Sequence, residues 1–123
     1  MKYSSKFDSD DGICTIQVTG TFHRPVDSDE LKIFAVKFSI EHSCRSFLID
    51  LTEAEVVGGT MSAFEAANPQ GTVAENLRKI KTAFVRQKLE EDDRFYENVA
   101  VNRGFHLRAF DTVEKAVEWL KQT

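Results

Sequence analysis

The chain predicts an α/β layer: a five-stranded mixed sheet opened by an antiparallel hairpin, with helices packed around it. Three observations lead there. First, Phe47-Leu48-Ile49-Asp50-Leu51 is a short apolar run with polar neighbours, the pattern of a strand buried on both faces. Second, two strand patterns at the start are separated by Asp8-Ser9-Asp10-Asp11-Gly12, a hairpin turn sequence. Third, apolar stripes at helical spacing alternate with strand patterns along the rest of the chain. With 123 residues, one domain spanning 1–123 is expected. A chain this long buries roughly two thirds of its unfolded surface, enough for a core without metal or disulfide support.

The elements follow in order. Residues 3–7 form a first strand. Residues 13–19 form a second, with Cys14, Ile16 and Val18 facing the core and Gly20 ending it. Residues 21–25 connect to a helix capped by Asp27, with Glu30 at capping-box spacing. Leu31, Phe34, Ala35 and Phe38 form its stripe, and Ile33, Val36 and Ile40 widen it to a second face. A helix that apolar packs deeply or offers a partner surface; deep packing is the expectation. The central strand covers 47–51, and residues 53–60 form the loop after it. A weak helix at 60–67 is broken by Asn68-Pro69-Gln70-Gly71. Thr72 caps another short helix, with Glu75 at capping-box spacing.

Residues 81–85 form the fourth strand. Glu90-Glu91-Asp92-Asp93 opens a helix as a solvated acidic first turn matched to the helix dipole. Gly104 ends that helix in the left-handed C′ role. Residues 105–110 alternate into a fifth strand at an edge. Asp111, with Glu114, caps the last helix, whose stripe is Val113, Ala116, Val117 and Leu120.

Composition narrows the function. The chain is 41% hydrophobic and 29% charged, the balance of an ordered globular protein. Ten phenylalanines against one Trp and two Tyr make the aromatics core material. A net charge of −4 argues against non-specific nucleic-acid binding, which needs Lys and Arg against phosphate. No apolar run nears the ~20 residues that span a bilayer, and the first residues lead into no signal-peptide core. Cys14 and Cys44 fit no ligand spacing and are expected as reduced, buried thiols. A cytoplasmic location follows from these readings.

No nucleophile elbow, phosphate-cradling loop or dinucleotide fingerprint occurs. His23, His42 and His106 fall on separate elements with no ligand spacing. No catalytic residue, metal or cofactor is therefore assigned. In an open α/β sheet, ligands and partners meet the carboxyl ends of the strands. That places a candidate contact loop at Asp50, Thr52, Gly58, Gly59, Thr60, Met61 and Ser62. Asp50 caps nearby loop amides or titrates at a ligand site. Arg103 satisfies helix-terminal carbonyls or grips an anion.

The opening hairpin, Leu48-Ile49-Asp50-Leu51-Thr52, Lys81-Thr82-Ala83-Phe84-Val85 and the segment 105–120 together resemble a SpoIIAA-like (STAS-type) domain over nearly the whole chain. The Asn102-Arg103-Gly104-Phe105 strand entry and the Phe110-Asp111 to Leu120 helix are most similar to the small bacterial stand-alone group. The resemblance implies a non-enzymatic regulatory or ligand-sensing module. In anti-sigma-factor antagonists of this fold, an Asp-Ser-Ser/Thr-Gly turn follows the central strand, and its Ser is phosphorylated. Those positions fall here on Gly58, Gly59, Thr60 and Met61. The acceptor position is Gly59, which has no hydroxyl, so the usual switch is absent unless Thr60 or Ser62 substitutes.

Two functions from different classes follow. One is a cytosolic STAS-like module that contacts a protein partner through 53–64. The other is a carrier or sensor of an apolar small ligand or lipid, because STAS-type domains resemble the Sec14-like layout and the Phe-rich helices can line a cavity. An enzyme that pairs Asp50 with a histidine is a third, weaker reading. The two-faced first helix also predicts a homodimer.

Overall fold

The computed structural model describes residues 1–122. In chain order the elements are β1 (Lys2–Asp8), β2 (Ile13–His23), α1 (Val26–His42), β3 (Ser46–Val57), α2 (Thr60–Ala66), α3 (Gly71–Leu77), β4 (Lys81–Val85), α4 (Glu91–Asn102), β5 (His106–Phe110) and α5 (Val113–Lys121). The five strands lie in the order β1-β2-β3-β4-β5. β1 runs antiparallel to β2, and every other neighbouring pair is parallel. This is the predicted mixed sheet opened by a hairpin. The Gly12 amide donates to the Asp8 carbonyl at 2.8 Å, and Gly12 takes a φ of 73° that costs glycine little.

Alternate residues of a strand point to opposite faces. Phe47 and Leu51 of β3 therefore join Cys14, Ile16 and Val18 in a core with α1, α2, α3 and α4. Leu48 points the other way, to Ile13, Ala83, Val85 and the α5 residues Ala116 and Leu120. β5 is an edge strand, as its alternation predicted.

The central strand and its neighbour are longer than expected. β2 runs through Gly20 to His23, and β3 runs on to Val57. Thr19–His23 pairs with Glu53–Val57. The stretch expected as a loop is thus mostly ladder, and only Gly58 and Gly59 link β3 to α2. The physical reason is period-two patterning: Ala54 and Val56 pack on the core while Glu53 and Glu55 face solvent. Gly20 does not end β2 but takes a φ of 81° inside it.

Helix starts also differ. Pro25, not Asp27, occupies the N-cap of α1, and the Asp27 carboxylate accepts from the His23 amide at 2.7 Å. Gln70, not Thr72, precedes α3. Thr112, not Asp111, caps α5 by accepting from the Lys115 amide. In each case a neighbouring residue takes the extended or turn backbone that leads into the helix. α1 packs less deeply than expected. Leu31 and Ala35 are buried and Phe34 and Phe38 are half-buried, but Ile33 and Ile40 are 59% and 67% exposed. Only one face of α1 meets the sheet, where Tyr3 and Phe7 of β1 pack edge-on against Phe34 and Phe38.

Candidate functional site at the carboxyl edge

The parallel strands β2, β3 and β4 deliver their carboxyl ends to one edge. Between Gln17 and Thr19 of β2, the partner positions on β3 advance from Asp50 to Glu53. β3 therefore carries one extra residue at Leu51-Thr52, a β-bulge. A bulge takes an amide out of the ladder. The Asp50 carboxylate meets that need, accepting from the Thr52 amide at 2.9 Å and the Thr52 hydroxyl at 2.6 Å. Gln87, just past β4, donates to the Thr52 carbonyl at 2.9 Å. These bonds fix the backbone where β3 turns toward α2.

Gly58 takes a φ of 125°, and an added Cβ would lie 3.0 Å from the Ser62 Cβ and 3.3 Å from the Arg24 carbonyl. Only glycine gives this close approach without a shift. Gly59 is the N-cap of α2. In the first turn, the Thr60 hydroxyl donates to Asp92 of α4 at 3.0 Å, Ser62 is half-buried, and Met61 is 69% exposed. The candidate loop residues thus form one continuous edge feature, from the bulge to the head of α2.

Arg103 lies elsewhere, at the C-terminal end of α4. Its guanidinium sits 5.7 Å from the Phe64 ring centroid, and its carbonyl accepts from Arg78 at 3.1 Å. The histidines do not join Asp50. His23 pairs with Val57, about 23 Å along β3 from Asp50 at strand rise. His106 is in register with Lys81 and, through it, with Ser46, about 13 Å back along the strand. His42 stacks on Phe38 at the far end of α1, with ring centroids 4.3 Å apart.

Behind the edge lies a group that sequence reasoning missed. Asp93 was expected in a solvated helix start, yet it is 0% exposed. One of its oxygens accepts from Arg24 at 2.8 Å and from Arg86 at 3.0 Å. The other accepts from Arg86 at 2.8 Å and from the Glu90 amide at 2.9 Å. Glu90 and Asp93 also close a reciprocal capping box, which places the carboxylate at the N-terminus of α4. Arg24 directly follows β2 and Arg86 directly follows β4. The available clue was position: both arginines stand just past the carboxyl ends of strands. Their convergence on Asp93 is a tertiary fact.

The Arg24 guanidinium lies over Tyr96 and Phe84, 5.1 and 5.9 Å from their centroids. Beyond it is an apolar cavity of about 70 Å³ between the sheet and the helices. Lys32 also reaches the cavity and donates to the Ala66 carbonyl.

Cys14 and Cys44 are free and buried, as expected. Burial pushes the Cys14 thiol up to about 11, helped by the neighbouring Cys44. Burial likewise raises Cys44. Both are therefore thiols, not reactive thiolates, at neutral pH. On the surface, the Lys115 ammonium bonds Asp111 at 3.1 Å and lowers that carboxyl. Among the described residues, no helix is long and apolar enough to cross a membrane.

No family model and no curated protein matches the chain. Solved structures do. A DUF3478-family protein with a SpoIIAA-like fold from Shewanella loihica PV-4 superposes with a TM-score of 0.57 at 13% identity, covering 97% of this chain and 92% of that one. The anti-sigma factor antagonist SpoIIAA in its unphosphorylated form gives a TM-score of 0.57 at 9% identity, covering 99% of this chain and 100% of that one. The chain has a SpoIIAA-like fold, as the sequence resemblance implied.

Proposed function

We propose that this protein is a non-enzymatic, cytosolic STAS-like module that binds a protein partner through the head of α2. One observation carries the reading: Met61 stands 69% exposed on a backbone held in place from both sides. The Asp50–Thr52 bonds fix the strand before it, and Thr60–Asp92 ties the helix turn after it. An exposed, flexible apolar side chain on a fixed platform suits a contact surface. The likeness to an anti-sigma factor antagonist supports the reading at the level of fold. Gly59 stands at the acceptor position, so partner binding proceeds here without the usual serine phosphorylation. Affinity capture with Met61→Asp against wild type tests the surface.

A second reading, small-ligand binding, is favoured by the cavity beside Arg24. Its volume of about 70 Å³ is well below the roughly 300 Å³ at which pockets begin to hold drug-sized ligands. The occupant on this reading is small, not a whole lipid. Self-association is proposed through α1, whose Ile33 and Ile40 are exposed.

A further inference from the structure

Three features of the cavity point to the class of its occupant. The first is charge. Asp93 is a single carboxylate shared by two guanidinium groups, those of Arg24 and Arg86. The buried cluster therefore holds one more positive charge than negative. Lys32 adds another at the cavity wall, and its carboxylate neighbour Asp29 is 3.7 Å away and 59% exposed. Among the described residues, no Asp or Glu lines the cavity.

The second is an unused donor. The Arg24 side chain is 3% exposed, and its Nε is buried without an acceptor among the described residues. A buried guanidinium N–H left unpaired costs free energy, and native interiors rarely keep one. The other end of the guanidinium is occupied by Asp93. The side chain lines the cavity with its Nε–H still to satisfy.

The third is the wall. Leu31, Ile49, Leu51 and Phe84 make most of the surroundings near Arg24 aliphatic or aromatic. An inorganic anion would meet the donor but leave this wall without a partner. A neutral hydrocarbon would fill the wall and leave Nε unpaired. The volume is about half of the ~150 Å³ engineered cavity that takes up benzene, so the occupant is no larger than a benzene-sized guest of about six non-hydrogen atoms.

We propose that the cavity binds a short-chain aliphatic carboxylate. Its carboxylate accepts from Arg24 Nε within reach of the Lys32 charge, and its chain lies against Leu31, Ile49 and Leu51. This rests on the small-ligand reading and is independent of the α2 contact surface.

The test is a titration followed by ¹H–¹⁵N and methyl NMR, with the Arg24 Nε–H and the Leu31 and Leu51 methyls as reporters. The probes are sodium butanoate, butanamide, sodium decanoate and sodium phosphate. Butanoate should shift all three reporters saturably. Butanamide should bind about tenfold weaker or worse, because the charge-assisted bond is lost. Decanoate should fail to enter, and phosphate should leave the methyls unmoved. Arg24→Lys, which keeps the charge but lacks Nε, should weaken butanoate about tenfold. That substitution also touches Asp93, so Ala66→Leu serves as a second variant. It fills the cavity, should keep the Arg24–Asp93 pair, and should abolish butanoate binding. Equal affinity for butanoate and butanamide would overturn the carboxylate assignment while leaving a small-ligand site. Phosphate matching butanoate, or decanoate surpassing it, would overturn the short-chain assignment. No response to any probe would overturn both this inference and the small-ligand reading.

Discussion

Asp93 is the residue on which the carboxyl edge depends. Its two oxygens receive Arg24, Arg86 and the Glu90 amide with no exposure to solvent. Removing one partner of a buried ion cluster leaves uncompensated charge, and here two guanidinium groups would be stranded. Asp93→Ala should lower unfolding free energy by about 3–5 kcal/mol in a urea titration. A loss below about 1 kcal/mol would mean that water already screens the cluster. In the sequence, Asp93 reads as one of four consecutive acids. Nothing local separates it from Glu91 and Asp92, because its partners are 69 and 7 residues away.

Cys14 gives the pH dependence. Burial, with the neighbouring Cys44, pushes its thiol up to about 11 from the ordinary 9.0. A group whose folded pKa is raised contributes stability that is complete below pH 9.0 and is lost as pH rises toward 11. Wild type should lose about 2 kcal/mol more than Cys14→Ala between pH 8 and pH 11 in paired urea titrations. Equal losses would show that folding does not raise the thiol.

At the scale of elements, the passage from β3 to α2 carries the site. It combines a bulge, a carboxylate that replaces the lost ladder partner, and a glycine pressed against Ser62 and the Arg24 carbonyl. Gly58→Ala forces a φ of 125° on a residue with a Cβ and brings that Cβ within 3.0 Å of Ser62. It should cost about 1–3 kcal/mol and displace the head of α2. Thermal unfolding with amide exchange at Thr60 and Met61 checks both effects.

The apolar core of β3 was readable as 47–51 because strongly buried strands are apolar runs. Its extension to Val57 was hidden by Glu53 and Glu55, which face solvent on a strand covered on one side only. Likewise Asp27 and Asp111 resembled caps by residue type, while the backbone placed Pro25 and Thr112 there. Capping chemistry can be inferred to within a residue or two; the dihedral that assigns the cap cannot.

At the scale of the whole molecule, the fold was readable because each element carries its own period. Cys14, Ile16 and Val18 alternate at 0% exposure, and Ala116 and Leu120 of α5 lie on one buried stripe. The site was less readable because it forms between elements: Arg24 from β2's end, Arg86 from β4's end, and Asp93 from α4. Ile33 and Ile40 of α1 stay exposed on the outside of the fold. Light scattering at high concentration should give a dimer mass for wild type and a monomer mass for Ile40→Asp. A monomer for both would remove the self-association reading.

Met61→Asp adds charge to an exposed position near a helix N-terminus, where a carboxylate suits the dipole, so the fold should be unaffected. Val113→Asp, an exposed apolar position in the first turn of α5, is the matched control. The decisive measurement is quantitative affinity capture with wild type and both variants after confirming equal melting temperatures. A protein retained by wild type and Val113→Asp should fall about tenfold with Met61→Asp. Recovery of the same proteins in the same amounts with all three baits would contradict the assignment of that surface.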